Sequence, residues 1–200
     1  MSPRPRLTPS EQDRILDATL EVIADRGLAD TRLLDVGRAL GRSTGTLQHY
    51  FGAREDLVSS AFRRLGERAV LGARALADDL DDPWERVKAL LEFIVAGGAG
   101  AGDRRIWLEY WNAAGRDDRL RAEATAVYGG WRRLIGTAIR DGLRSGRFTL
   151  RSSAGEVMRT LLAVIDGMAL HAALGTGGLT SDVAARAVVR VAAGELGVSA

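Results

Sequence analysis

The 200-residue chain has no cysteine and only two histidines, His49 and His171. Without cysteine it has no disulfide, thiolate metal site or cysteine nucleophile, which fits a reducing cytoplasm. Neither histidine has a neighbour at metal-ligand spacing, and no His-x-x-x-His occurs. Without cysteine, and with histidine so scarce, nucleophilic catalysis has little to work with. Lys88 is the only lysine; nearly all positive charge is carried by arginine. Runs of β-branched residues and regularly spaced short strands are missing, so the expected class is all-α. Met1-Ser2-Pro3-Arg4-Pro5-Arg6-Leu7 has no apolar core and does not read as a signal peptide. The most apolar stretch, Val157–Gly175, is interrupted by Arg159, Asp166 and His171, which counts against a membrane span. No cofactor motif stands out. Gly97-Gly98-Ala99-Gly100-Ala101-Gly102 follows no strand and precedes no Gly-Lys-Ser/Thr, so it reads as a turn between helices rather than a phosphate loop.

What the chain does have is concentrated in residues 31–57. Thr31 reads as the N-cap of a short helix whose apolar side is Leu33, Leu34, Val36, Ala39 and Leu40. Gly41 stands where a left-handed residue would stop it. Ser43 and Thr44 can cap a second helix running to about Tyr50, and Gly52 breaks it. Arg54-Glu55-Asp56 opens a third, longer helix with acids in its first turn. Two short helices joined by a tight turn form the DNA-reading unit of many regulators. No acid lies between Val36 and Arg54, whereas Arg38, Arg42 and His49 do. Ser43, Thr44, Thr46, Gln48, His49 and Tyr50 crowd hydrogen-bonding side chains onto one short helix. The formal charge of residues 1–60 is nevertheless −1, so a basic surface has to come from arrangement rather than excess.

The stretch Thr31…Gly41…Ser43-x-Gly45-Thr46-Leu47-x-x-Tyr50-Phe51…Arg54-Glu55-Asp56-Leu57 resembles the N-terminal domain of the TetR family of bacterial transcriptional regulators. Arg14-Ile15-Leu16-Asp17-Ala18…Gly27 resembles that family's first helix, and the likeness runs from about Thr8 to Leu65. Three residues depart from the pattern. Gln48 replaces a usual phosphate-touching Tyr, and Arg42 a usual Val or Ile. Gly37 replaces a usual Ala, a change that should weaken its helix by up to about 1 kcal/mol. The order Trp107-x-x-x-Trp111…Trp131…Gly146-x-Phe148…Asp166-Gly167 resembles the ligand-binding half of BetI-like members. The resemblance implies an N-terminal DNA-binding domain, residues 1–54, and a helical effector-binding and dimerisation domain, residues 55–200.

Thr8-Pro9-Ser10-Glu11 reads as a helix start with a capping box. Arg4 and Arg6 could form an arm toward DNA, or a tail with no such role. Further helices are expected from Arg54 past Leu76, from Pro83 past Ile94, over 103–114 and over 119–145. Two more are expected, from Ser153 to Leu174 and from about Thr180 onward. On the last helix Ala184, Ala187, Val188, Val191 and Ala192 form a small apolar stripe that a partner subunit's helix could approach closely.

The expected DNA contacts are Thr31, Arg32, Arg42, Ser43, Thr44, Thr46, Gln48, His49, Tyr50 and Arg54. Gln48 is the candidate for base readout, and Arg54 and Tyr50 for phosphate. The expected ligand residues are Phe93, Trp107, Tyr110, Trp111, Tyr128, Trp131, Asp166 and His171. Aromatic rings at helical spacing suit a packed core as well as a cavity, and both readings stand at this point. If they line a cavity, the effector is lipophilic or cationic, with few polar groups. The partners implied are a double-stranded DNA operator, a small-molecule effector and a second copy of the chain. The competing functions are an all-α enzyme and a helical interaction module.

Overall fold

The computed structural model describes residues 7–98 and 104–198. Among them it has nine α-helices: α1 Pro9–Arg26, α2 Leu33–Leu40, α3 Thr44–Phe51, α4 Arg54–Asp78, α5 Pro83–Val95, α6 Arg104–Ala114, α7 Asp118–Arg144, α8 Ala154–Leu174 and α9 Ser181–Leu196. One turn of 3-10 helix, Thr176–Gly178, joins the last two. Arg4, Arg6 and most of the glycine-rich turn lie outside the described residues.

The chain divides into two compact units. The first runs to Gly66 and takes in Arg105–Glu123; the second comprises Glu67–Arg104 and Ala124–Ala200. The division falls within α4, after Gly66. The reason lies in α4, whose Leu57, Ala61, Phe62 and Leu65 are all buried in the first unit. Phe62 stacks on Tyr110 of α6 with ring centroids 4.6 Å apart.

In the first unit α1 starts on a complete capping box. The Thr8 hydroxyl accepts the Glu11 N–H at 3.2 Å, and the Glu11 carboxylate accepts the Thr8 N–H at 3.0 Å. The Thr8 N–H, and after it the Thr8 hydroxyl donating to the same carboxylate at 2.9 Å, hold the Glu11 carboxyl below its ordinary pKa. Ile15, Leu16, Val22 and Ile23 carry the buried face of α1, which packs on α2; α2 in turn packs on α3. Arg64 of α4 grips α1 through Asp13 at 2.5 Å and both oxygens of Asp17 at 3.0 and 3.2 Å. Asp13 and Asp17, two of the acids that make this region formally negative, are thus engaged by Arg64.

Thr31 is not the cap of α2. Arg32 holds that position, its N–H donating to Asp35 at 3.2 Å, while Thr31 is buried and its hydroxyl donates to the Gly27 carbonyl at 2.8 Å. A threonine followed by an apolar run reads the same in both places; burial decides between them.

In the second unit α5, α8 and α9 pack on one another around Val87, Leu90, Leu91, Leu161, Ile165, Val188 and Leu196. α8 also begins on a capping box, between Ser153 and Glu156. Ala184, Val188 and Ala192 are buried here against the chain's own helices, which removes them from the stripe expected to meet a partner. The large apolar side chains left exposed in this unit are Leu71, Leu76, Leu143, Leu170, Leu174 and Val183. With Ala163 and Gly167, Leu170 and Leu174 form one exposed stripe along α8. By length and composition α8 is also long and apolar enough to cross a membrane, the one such helix among the described residues.

Candidate nucleic-acid interface

α3 is eight residues long, too short to be stable alone, and owes its place to one anchor. Leu47 is fully buried beneath it. The Ser43 hydroxyl caps the helix by accepting the Thr46 N–H at 3.2 Å and lies 2.9 Å from the Thr46 hydroxyl. The exposed side then presents Ser43, Gly45, Gln48 and His49, with Thr44, Thr46 and Tyr50 half-buried beside them. The His49 and Tyr50 rings meet edge to face at 4.9 Å and 70°. This side holds no acid and offers amide, imidazole and hydroxyl groups of the kind that read base edges.

The turn between α2 and α3 is unusually tight. Gly41 takes a left-handed conformation with φ 63°. The Arg42 N–H donates to the Gly37 carbonyl at 2.8 Å. A Cβ added at Gly37 would lie 2.6 Å from the Arg42 carbonyl oxygen. The glycine expected to weaken α2 is therefore what lets the turn close, since backbone on both sides fixes the gap.

Two of the ten expected DNA contacts face inward. Thr31 is buried, and the Arg54 guanidinium is spent on its own chain. Its Nε donates to the Thr31 carbonyl at 2.5 Å and its Nη2 to the Leu28 carbonyl. Arg54 thus braces the loop ahead of the reader. Arg42 forms a 3.1 Å ion pair with Glu11 at the surface, and Arg32 is exposed. Gln48, His49, Ser43, Thr44, Thr46 and Tyr50 remain together on α3 and its cap. Glu109 of α6 reads in the sequence as a polar group beside the aromatic rings; what sequence reasoning missed is that its carboxylate accepts the Leu28 N–H at 3.1 Å. Nothing local in the sequence links positions so far apart.

The expected ligand residues divide between the units. Trp107, Tyr110 and Trp111 belong to the first, where their rings stack on each other. Their faces are largely used on one another and on Phe62. Phe93, Tyr128, Trp131, Asp166 and His171 belong to the second. There the Tyr128 hydroxyl donates to Asp166 at 2.7 Å, and the Phe93 and Trp131 ring centroids lie 6.5 Å apart. Burial, then the bond to Asp166, pushes the Tyr128 hydroxyl far above its ordinary pKa. Asp166 keeps much of its surface exposed, yet protein atoms crowding its carboxyl raise its pKa, with the Tyr128 bond opposing. The His171 ring is 2.8 Å from the Thr176 hydroxyl at the end of α8.

Residues 15–61 match the family described as bacterial regulatory proteins, tetR family, and residues 83–197 match the BetI-type transcriptional repressor C-terminal family. The chain belongs to the TetR family of bacterial transcriptional regulators, with a C-terminal part of the BetI type. It is a DNA-binding, all-α regulator whose reader is the α2–α3 helix-turn-helix. Among relatives, HTH-type transcriptional regulator BetI 1 of Chromohalobacter salexigens is 30% identical over 190 residues, covering 90% of this chain and 87% of the relative. A transcriptional regulator from Saccharomonospora viridis, solved in complex with choline, superposes with a TM-score of 0.82 at 26% identity, covering 90% and 94% of the two chains. FadR of Bacillus subtilis, solved with stearoyl-CoA, superposes with a TM-score of 0.74 at 18% identity, covering 90% and 96%. At that identity it shares the fold.

Proposed function

We propose that this protein is a cytoplasmic homodimeric repressor. It binds a near-palindromic operator through α3 and is released by a small lipophilic or cationic effector. The observation that carries the reading is the acid-free, hydrogen-bonding outer side of α3, held in place by the buried Leu47. Gln48 and His49 read bases in the major groove, and Ser43, Thr44, Thr46 and Tyr50 place the helix on the backbone. A symmetric operator requires two copies. The exposed stripe Ala163, Gly167, Leu170 and Leu174 on α8, with Val183 on α9, supplies the apolar surface for pairing them into a four-helix bundle. Pairing also accounts for the apolar length of α8 without a membrane.

The effector reading rests on the second unit's Tyr128, Asp166, Phe93 and Trp131, an acid beside aromatic rings, which favours an organic cation over an anion. The choline bound by the Saccharomonospora viridis regulator is a ligand of that kind. A differential affinity of about 1–3 kcal/mol between the DNA-competent and released states suffices to release operator several-fold to a hundredfold. The test is a mobility shift with the DNA flanking the protein's own gene, repeated with choline and with a long-chain acyl-CoA. Specific retardation relieved by one compound supports the proposal. Retardation indifferent to DNA sequence overturns it.

A further inference from the structure

One charged group interrupts the apolar stripe of α8. Asp166 is exposed three residues after Ala163 and four before Leu170, so it shares their side of the helix, and it is the only acid from Arg159 to Leu174. Its Oδ2 accepts the Tyr128 hydroxyl at 2.7 Å, and its Oδ1 has no hydrogen bond among the described residues. Covering the stripe with a second copy takes this carboxylate out of water. A covered carboxylate held by one phenol is costly unless a cation meets it.

The matching cation lies on α9. Val183, Arg186 and Arg190 share the exposed side of that helix, and neither arginine has a hydrogen bond or ion pair among the described residues. Within one copy, then, Asp166 and Arg186 form no ion pair. α8 and α9 pack on each other and are joined by a short turn, so they run antiparallel with Leu174 and Ser181 at the same end. At about 1.5 Å per residue, Gly167 lies about 10 Å from that end, Asp166 about 12 Å and Arg186 about 8 Å. A partner helix comes closest at Gly167, where nothing stands within 4 Å of the place a Cβ would take. A two-fold axis crossing there turns the second copy end for end and carries Arg186 of the partner subunit to about 13 Å, level with Asp166.

We propose that Asp166 of each copy is held by Arg186 of the partner subunit, and that a cationic effector takes Asp166 only by displacing that arginine. This rests on the dimer and effector readings above and adds the link between them. The guanidinium donates to the open Oδ1 while Tyr128 keeps Oδ2. One carboxylate with two competing cations couples ligand binding to the fit between subunits, because each cation gives up its bond when the other holds it.

The test mixes two variant chains of different mass, Asp166→Arg and Arg186→Asp, and counts dimers by native mass spectrometry. Each variant alone sets like charges against each other twice, whereas the mixed dimer keeps one original pair and one reversed pair. The mixed species should exceed the two homodimers together by about tenfold or more, against about one to one by chance. Assortment by chance overturns the proposal, whereas a wild type that is monomeric at micromolar concentration removes the dimer reading itself. Should Asp166→Arg fail to fold, Asp166→Asn, which keeps an acceptor for Tyr128, takes its place. Asp166→Asn and Arg186→Gln should each raise the dimer Kd about tenfold, and the double variant no further; additive losses overturn the pair. In calorimetry with choline, Arg186→Gln should bind about fivefold tighter than wild type, since no arginine has to leave. Equal choline affinity overturns the competition, and choline binding to neither chain removes the effector reading and the competition with it.

Discussion

Glu109 and Leu28 are joined across 81 positions of sequence by one hydrogen bond, the Leu28 N–H donating to the Glu109 carboxylate at 3.1 Å. The bond ties α6 to the loop that leads into the DNA reader, inside one compact unit. A bond to a charged acceptor contributes about 1.5–3 kcal/mol. Glu109→Ala should therefore speed hydrogen exchange at the Leu28 amide by at least about tenfold, with exchange in α9 unchanged. Equal protection in both proteins would show that the loop is held by other means.

Arg54 grips the same loop from the other side, through the Leu28 and Thr31 carbonyls. Because its donors point into the protein, it is not expected to release counterions on DNA binding. Arg54→Ala should lower the melting temperature by several degrees yet leave the salt slope of operator binding unchanged. Arg54→Lys should recover only part of the stability, since one ammonium cannot span both carbonyls as a guanidinium does. A salt slope flatter by about one unit in Arg54→Ala would return Arg54 to the phosphate backbone.

Gly37→Ala reverses an ordinary expectation. In an exposed helix the change adds up to about 1 kcal/mol of stability. Here the new Cβ would meet the Arg42 carbonyl at 2.6 Å, and the atom it meets is backbone. The variant should be less stable in thermal denaturation and weaker on operator, because the α2–α3 turn must open. A stabilised variant with full DNA affinity would mean that the turn relaxes freely.

The pairing surface is separable from the core by two substitutions. Leu174→Arg falls on the exposed stripe of α8 and should give a folded monomer in sedimentation at micromolar concentration. Val188→Arg falls in the buried interior of the second unit and should unfold it, whatever the oligomeric state. Dimers persisting in Leu174→Arg would place the contact elsewhere.

Much of this was legible in the sequence, for local reasons. Thr8-Pro9-Ser10-Glu11 and Ser153…Glu156 announce helix starts because capping chemistry is carried within four residues. Gly41, Ser43 and Gly52 bounded α3 correctly for the same reason. What failed needed contacts distant in sequence. Thr31 and Arg54 look like surface groups until Gly27 and Leu28 come round to meet them. The stripe Ala184, Val188 and Ala192 was found correctly as apolar, but periodicity says which residues share a face and not what covers it. The aromatic set read as one cluster because it recurs at helical spacing, while the fold assigns Tyr110 and Tyr128 to different units.

The central claim is that α3 reads DNA through Gln48. An in vitro selection of binding sites, run in parallel with wild type and Gln48→Ala, tests it most directly. Wild type should enrich a near-palindromic site. Gln48→Ala should lose preference at one base pair of each half-site, at a cost of about 1–3 kcal/mol, with the other positions retained. Failure of wild type to enrich any site, or identical base preferences in the two proteins, would contradict the account.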